Sequence, residues 1–232
     1  MSFMDKLQAR WDEGFFVCVG LDSDINKLPK GFTSGGMVYP QSAFNREIID
    51  ATADIVCAYK PNTAFYEALG SDGIVALERT LEYIQSNYPH IPVILDAKRA
   101  DIGNTNNGYV AFAFDQLGAD AITVHPYLGA QALKPFLDRA DKGVIVLCRT
   151  SNPGAGEFQD LRVSLKGDPE KLYDYDDFEQ TIYQMVALAV SSEHWNSNGN
   201  CAVVVGAPYP VSLAESRHLL GDLPIPPPDP GP

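Results

Sequence analysis

Between residues 95 and 105 the chain reads LDAKRADIGNT, a run unusually rich in charge for its apolar surroundings. Asp96 and Lys98 stand two positions apart, so on a β-strand they share one face while Ala97 points away. Asp101 follows three residues later, where a strand should give way to a loop or a helix start. Two other apolar runs also end in charge, FFVCVGLD at Asp22 and DIVCAYK at Lys60. If those ends meet, carboxylates and ammoniums alternate in one partly desolvated pocket, where each lowers the other's cost of burial and all stay ionised. Spacing alone leaves two readings open, a reactive charged array and a salt-bridge network with no reaction.

The elements that would carry these residues repeat along the chain. Short, β-branched runs at 15–22, 54–60, 92–98, 121–126, 143–150 and 201–207 read as strands buried on both faces, and so as a parallel sheet. Helical spacing fills 42–55, 73–87, 106–118 and 177–195 between them. This α/β alternation fits a doubly wound sheet or a (β/α)8 TIM-type barrel. No strand ends in a Gly-x-Gly-x-x-Gly turn, which removes the main support for a dinucleotide-binding doubly wound sheet. Polar residues close strand after strand: Asp22, Lys60, Asp96, Lys98, His125 and Ser151. In a barrel that rim is the active-site face, so the barrel is the expected fold.

Composition narrows the function. With 45% hydrophobic residues among 232, the chain can bury one sizeable core, expected over residues 1–222. No apolar stretch approaches the roughly 18 residues of a membrane span, and the start lacks a signal-peptide core. The formal charge of −13 disfavours nucleic-acid and anionic-membrane partners. Cys18, Cys57, Cys148 and Cys201 lie singly in apolar runs, which suits reduced thiols and a cytoplasmic protein.

The segment 96–105 resembles the Asp-x-Lys-x-x-Asp-Ile-x-x-Thr signature of the orotidine 5′-monophosphate decarboxylase family, with Asp96, Lys98, Asp101, Ile102 and Thr105 in register. GLD (20–22), YKPNTAFYEALG (59–70), TVHPYLG (123–129), RTSNPGAGEFQDL (149–161) and VVVGAPYP (203–210) agree with its longer bacterial branch. The resemblance covers about residues 10 to 222. It implies a barrel that decarboxylates orotidine 5′-monophosphate to uridine 5′-monophosphate in de novo pyrimidine synthesis, with no metal or organic cofactor. A carbanion in the ring plane has no π system to spread into, so pre-oriented charge must stabilise it. By this resemblance Lys98 protonates C6, and Asp96 lies near the departing carboxylate and aims Lys98. Asp22 and Lys60 contact the ribose hydroxyls, and Ser151 contacts the pyrimidine edge. Asp101, Ile102 and Thr105 belong to the same signature, and Asp101 and Thr105 reach into the neighbouring subunit's pocket, which implies a homodimer.

Other residues take plainer readings. His90, His125, His194 and His218 show no metal-ligand spacing. Asn152, Gly154 and Gly156 shape the loop after the fifth strand, Asn152 with a possible substrate contact, and the tyrosines of LYDYDDF (172–178) cover the barrel at a helix start. The end of the chain departs from the family pattern. Six of the last ten residues are proline, which is excluded from central strands. The expectation is therefore an irregular tail over 223–232, a disrupted seventh barrel strand, no eighth, and a weakened hold on the substrate phosphate. Two rival functions remain: a class I aldolase-type barrel with a Schiff base on Lys60 or Lys98, and an impaired nucleotide-binding remnant.

Overall fold

A computed structural model of the chain describes residues 1–33, 38–165 and 178–220. The first five apolar runs become β1 (Val17–Gly20), β2 (Val56–Lys60), β3 (Ile94–Arg99), β4 (Ala121–Val124) and β5 (Gly143–Arg149). A hairpin of β6 (Arg162–Leu165) and β7 (Phe178–Thr181) follows, and the sixth run becomes β8 (Cys201–Val205). The six predicted strands lie side by side in the order β1-β2-β3-β4-β5-β8, all parallel, with β2 and β3 joined by the bridges Tyr59↔Val93 and Asn62↔Asp96.

Side-chain alternation separates an inside from an outside. Ile94, Ala121, Ile145 and Ala202 pack together with Phe3 and Leu7 of the N-terminal helix (Phe3–Asp12). Leu95, Ile122, Val144 and Val203 turn the other way, into a larger core that holds Leu77, Leu81, Leu133 and Val190 of the flanking helices. One enclosed cluster of strand residues with helices outside it is barrel architecture rather than a sheet covered on both faces. The N-terminal helix forms the floor. A side chain at Gly143 would come within 2.3 Å of the Phe3 ring, so glycine is what lets the helix press against the strands. Arg10 clamps that helix by donating from Nε to the Val56 carbonyl at 2.9 Å. Among the described residues neither β1 nor β8 pairs with a further strand at its outer edge.

The helix expected over 42–55 runs from Pro40 to Thr52, with proline at the helix start where its missing N–H costs nothing. That over 73–87 runs from Gly70 to Asn87. The stretch 106–118 starts earlier, as an α-helix over Gly103–Val110, and continues as a π-helical segment over Ala111–Gln116. The single helix expected over 177–195 is a misreading. Residues Phe178–Thr181 form β7, antiparallel to β6, and the helices are Ile182–Ser191 and Glu193–Asn196. Thr181 supplies the reason, because its hydroxyl accepts from the Gln184 N–H while the Gln184 side chain accepts from the Thr181 N–H. That reciprocal cap fixes the helix start there. The tail over 223–232, the expected disruption of a seventh barrel strand and the absence of an eighth lie outside the described residues, as does LYDYDDF up to Asp177.

Candidate active site

Six C-terminal strand ends and their loops surround a cavity of about 730 Å³. Asp22, Lys60, Asp96, Lys98 and Ser151 all line it, together with Asn62 and Thr123, two residues whose types gave no warning in the sequence. Inward alternation along β3 places Ile94 below Asp96 on the cavity wall, while Leu95 and Ala97 face the outer core.

Asp96 is the centre of the array. Lys98 Nζ lies 2.7 Å from each of its carboxylate oxygens, and Lys60 Nζ lies 3.4 Å from Oδ2. The Thr123 hydroxyl donates to Oδ1 at 2.7 Å, and Asn62 Nδ2 donates to Oδ2 at 3.3 Å. Burial pushes the Asp96 carboxyl up, but the Lys60 charge, the Lys98 hydrogen bond and charge, and the Thr123 hydroxyl together hold it below its ordinary value. Asp96 is 7% exposed in its side chain whereas Lys98 is 49% exposed, so the ammonium stands on the solvent side of the carboxylate. On β1's end, Asp22 Oδ1 accepts from the Asn62 N–H at 3.1 Å, which ties the first two strand ends together.

The backbone at Lys98 is unusual. Its φ is +47°, in the left-handed region that costs an ordinary residue about 1–2 kcal/mol. The β3–β4 register shifts between Leu95 and Arg99, a bulge that re-aims the Lys98 side chain toward Asp96. Thr123 holds the distorted peptide, its Oγ1 accepting from the Lys98 N–H at 2.9 Å.

Asp101, Ile102 and Thr105 are not brought into this cavity. The Asp101 carboxylate accepts from the Ile102 N–H, and Asn106, fully buried, bonds both the N–H and the carbonyl of Asp101. These bonds hold the loop away from the cavity of its own chain, with Ile102 67% exposed. Ser151 packs against Gly206, where a Cβ would lie 3.0 Å from the serine Cβ. Asn152 does not line the cavity; its carbonyl accepts from Ala155 N–H and its Oδ1 from Thr150, as a turn-forming residue does. Among the described residues no three His, Cys, Asp or Glu side chains gather as a metal site would require. All four cysteines are free thiols.

Comparison with known proteins bears on the family to which this fold belongs. Residues 16–206 match the family model described as orotidine 5′-phosphate decarboxylase / HUMPS family. The orotidine 5′-phosphate decarboxylase of Cellvibrio japonicus is 46% identical over 228 residues, covering 97% of this chain and 77% of that protein. The corresponding protein of Thermomicrobium roseum is 48% identical over 229 residues, with 97% and 74% covered. Among solved structures, the Leishmania donovani OMP decarboxylase superposes with a TM-score of 0.80 at 38% identity, over 96% of this chain and 78% of that one. A Toxoplasma gondii structure described as a putative orotidine-monophosphate-decarboxylase gives 0.82 at 34%, over 97% and 77%. The chain spans about three quarters of the length of these relatives. Likeness at this level, over nearly the whole chain and with the charged strand ends in place, means that it belongs to the orotidine 5′-phosphate decarboxylase / HUMPS family.

Proposed function

We infer that this chain decarboxylates orotidine 5′-monophosphate to uridine 5′-monophosphate, a step of pyrimidine biosynthesis. The observation that carries the reading is the Asp96 carboxylate held between the Lys60 and Lys98 ammoniums at the mouth of the barrel cavity. In this reading the C6–carboxylate bond breaks, CO2 leaves, and the electron pair stays on C6. Lys98 supplies positive charge to that pair and then a proton to C6, and it regains a proton from solvent. The Asp96 charge faces the substrate carboxylate in the ground state and is relieved as CO2 departs, while it keeps Lys98 charged and aimed. Asp22 and Lys60 take the ribose hydroxyls, and Ser151 takes the pyrimidine edge. No step requires a metal or an organic cofactor.

Asp101, Ile102 and Thr105 complete the reading in a homodimer, in which Asp101 and Thr105 serve the partner's cavity. Their exclusion from their own cavity supports this, as does the apolar surface beside them, where Ile102, Tyr127 and Leu128 are exposed. No helix among the described residues is long and apolar enough to cross a membrane. Four free thiols, three of them buried, suit the reducing cytoplasm.

Turnover is tested by mixing the purified chain with orotidine 5′-monophosphate and following the loss of orotate absorbance, with uridine 5′-monophosphate identified by mass. Uridine 5′-monophosphate that binds without any turnover of the substrate would show a nucleotide-binding remnant instead. Borohydride trapping that adds mass at Lys60 or Lys98 would show Schiff-base chemistry. Both ammoniums pair with Asp96, whereas Schiff-base lysines sit in apolar pockets or beside another cation.

A further inference from the structure

Beside Asp22, where the helices Pro40–Thr52 and Gly70–Asn87 meet the segment after β1, lies a buried polar network that the chemistry above leaves unused, and of its members Ser23 also lines the cavity. Asn45 is its hub and is fully buried. Its Oδ1 accepts from the Ser23 hydroxyl, and its Nδ2 donates to the Tyr66 hydroxyl at 2.8 Å and to Thr80 Oγ1 at 3.1 Å. The Tyr66 hydroxyl in turn donates to the Leu21 carbonyl at 2.7 Å. Gln41 adds a bond from Nε2 to the Ser23 carbonyl at 2.7 Å. Leu21 and Ser23 are the two chain neighbours of Asp22.

We propose that Asn45 is a positioning residue for Asp22: through Ser23 on one side and Tyr66 and Leu21 on the other, it fixes the backbone from which Asp22 meets the ribose. Burying this many polar groups is costly, the more so as Gln41 Oε1 is buried without a partner, and an apolar set would serve packing alone as well. The network instead spends its bonds on both flanks of one cavity residue. Burial pushes the Tyr66 hydroxyl well up, and the Asp22 charge adds to that rise, so this phenol remains a donor across the working pH range. The neighbouring helix is packed to suit. A Cβ at Gly73 would fall 1.8 Å from the Tyr66 carbonyl oxygen, so glycine lets the helix Gly70–Asn87 close over the turn that carries the tyrosine. A carboxylate that must meet two vicinal hydroxyls gains from such a fixed base, because loss of alignment costs binding directly.

This inference rests on the placement of Asp22 at the ribose, and the test separates the two. Dissociation constants are measured by calorimetry for uridine 5′-monophosphate and for its 2′,3′-dideoxy analogue, which lacks both ribose hydroxyls. The wild-type chain should favour the ribonucleotide. Asn45→Ala, Tyr66→Phe and Ser23→Ala should each weaken the ribonucleotide on the order of tenfold, about the worth of one or two hydrogen bonds, and leave the dideoxy analogue unchanged. Should Asn45→Ala fail to fold, Tyr66→Phe decides the matter, because it removes a single hydroxyl that does not line the cavity and keeps the packing, whereas Ser23 itself lines the cavity. A variant set that weakens both nucleotides equally, or neither, overturns the positioning role while leaving Asp22 at the ribose. A wild-type chain that does not distinguish the two nucleotides overturns the placement of Asp22, and this inference with it.

Discussion

Lys98 reaches back along its own strand to Asp96, so that one ammonium lies 2.7 Å from both oxygens of a carboxylate only two residues earlier. A regular strand would hold two such side chains on one face but side by side. The positive φ of Lys98 and the bulge at that point turn the lysine back toward the carboxylate. Strain is thus concentrated at the residue to which the proposed reading gives the proton transfer, where the surrounding bonds over-determine it.

Replacing that residue separates strain from chemistry. Lys98→Ala and Lys98→Gly should both lower turnover by several orders of magnitude, since each removes the pre-oriented charge and the acid. Glycine relieves a left-handed conformation worth about 1–2 kcal/mol and gives back about 0.5–1 kcal/mol in unfolded-chain freedom. Urea unfolding should therefore find the glycine variant as stable as the alanine variant, or up to about 1.5 kcal/mol more stable. A glycine variant clearly less stable than alanine would mean that the backbone at 98 is not strained, and either variant keeping a tenth of normal turnover would remove Lys98 as the proton donor.

The charge on Asp96 has a predictable pH signature. Its carboxyl sits below the ordinary value of 3.8 in the folded chain, so the unfolded chain binds its proton first as pH falls. The stabilisation is therefore complete above about 3.8 and is lost as pH falls through the lower folded value. The stability difference between wild type and Asp96→Asn, followed by urea unfolding, should be level from about pH 7 to about pH 5 and shrink below 3.8. A difference that grows on acidification would show a raised carboxyl and contradict the double lysine pairing.

Subunit sharing can be read from mixed chains. Lys98→Ala and Asp101→Ala should each be inactive alone if Asp101 serves the partner's cavity. In a mixed population half the dimers are heterodimers, and each holds one cavity with both residues intact, so about a quarter of sites should work under random assortment. Absence of recovery in heterodimers verified by mass would place Asp101 within its own site.

The Asp101 loop depends on a residue that the signature hides. Asn106 bonds the Asp101 N–H at 2.9 Å, the Asp101 carbonyl at 2.6 Å and the Ala132 carbonyl at 2.6 Å. Asn106→Ala leaves those partly buried backbone groups without their partner, and should cost about 1–3 kcal/mol in chemical unfolding. A loss under 1 kcal/mol would mean that water replaces the amide.

How far the sequence disclosed all this depends on period and type. Asp96 and Lys98 could be paired because two-residue alternation decides which side chains share a strand face, and charge inside an apolar run is conspicuous. The six parallel strands were legible for the same reason, as continuous β-branched runs. Thr123 was not, since one hydroxyl within AITV reads as an ordinary strand residue. Asn62 and Asn45 act through amides whose partners lie on other elements, and no local pattern records that. The turn of the backbone at Lys98 comes from bonding across β3 and β4, so no property of lysine announces it. The strand β7 reads as helix in the sequence because EQTIYQMVALAV continues a helical pattern, and the boundary depends on a single threonine cap.

Thr123 offers the sharpest test of the site's support. Its hydroxyl does two things at once, accepting from the Lys98 N–H and donating to Asp96 Oδ1. Thr123→Val keeps the shape of the side chain within a methyl group and removes both bonds. Lys98 and Asp96 themselves stay in place, so turnover should fall on the order of tenfold to a hundredfold rather than vanish, the scale of a small misplacement in a catalytic array. The lost donor had favoured the charged carboxylate, so the Asp96 pKa should rise and any acid limb that Asp96 gives to the turnover profile should move to higher pH. Thr123→Ser retains the hydroxyl and should restore both the rate and the position of that limb. If serine and valine variants behaved alike, the methyl group rather than the hydroxyl would be what matters, and the bond to Asp96 would have no part in aiming Lys98.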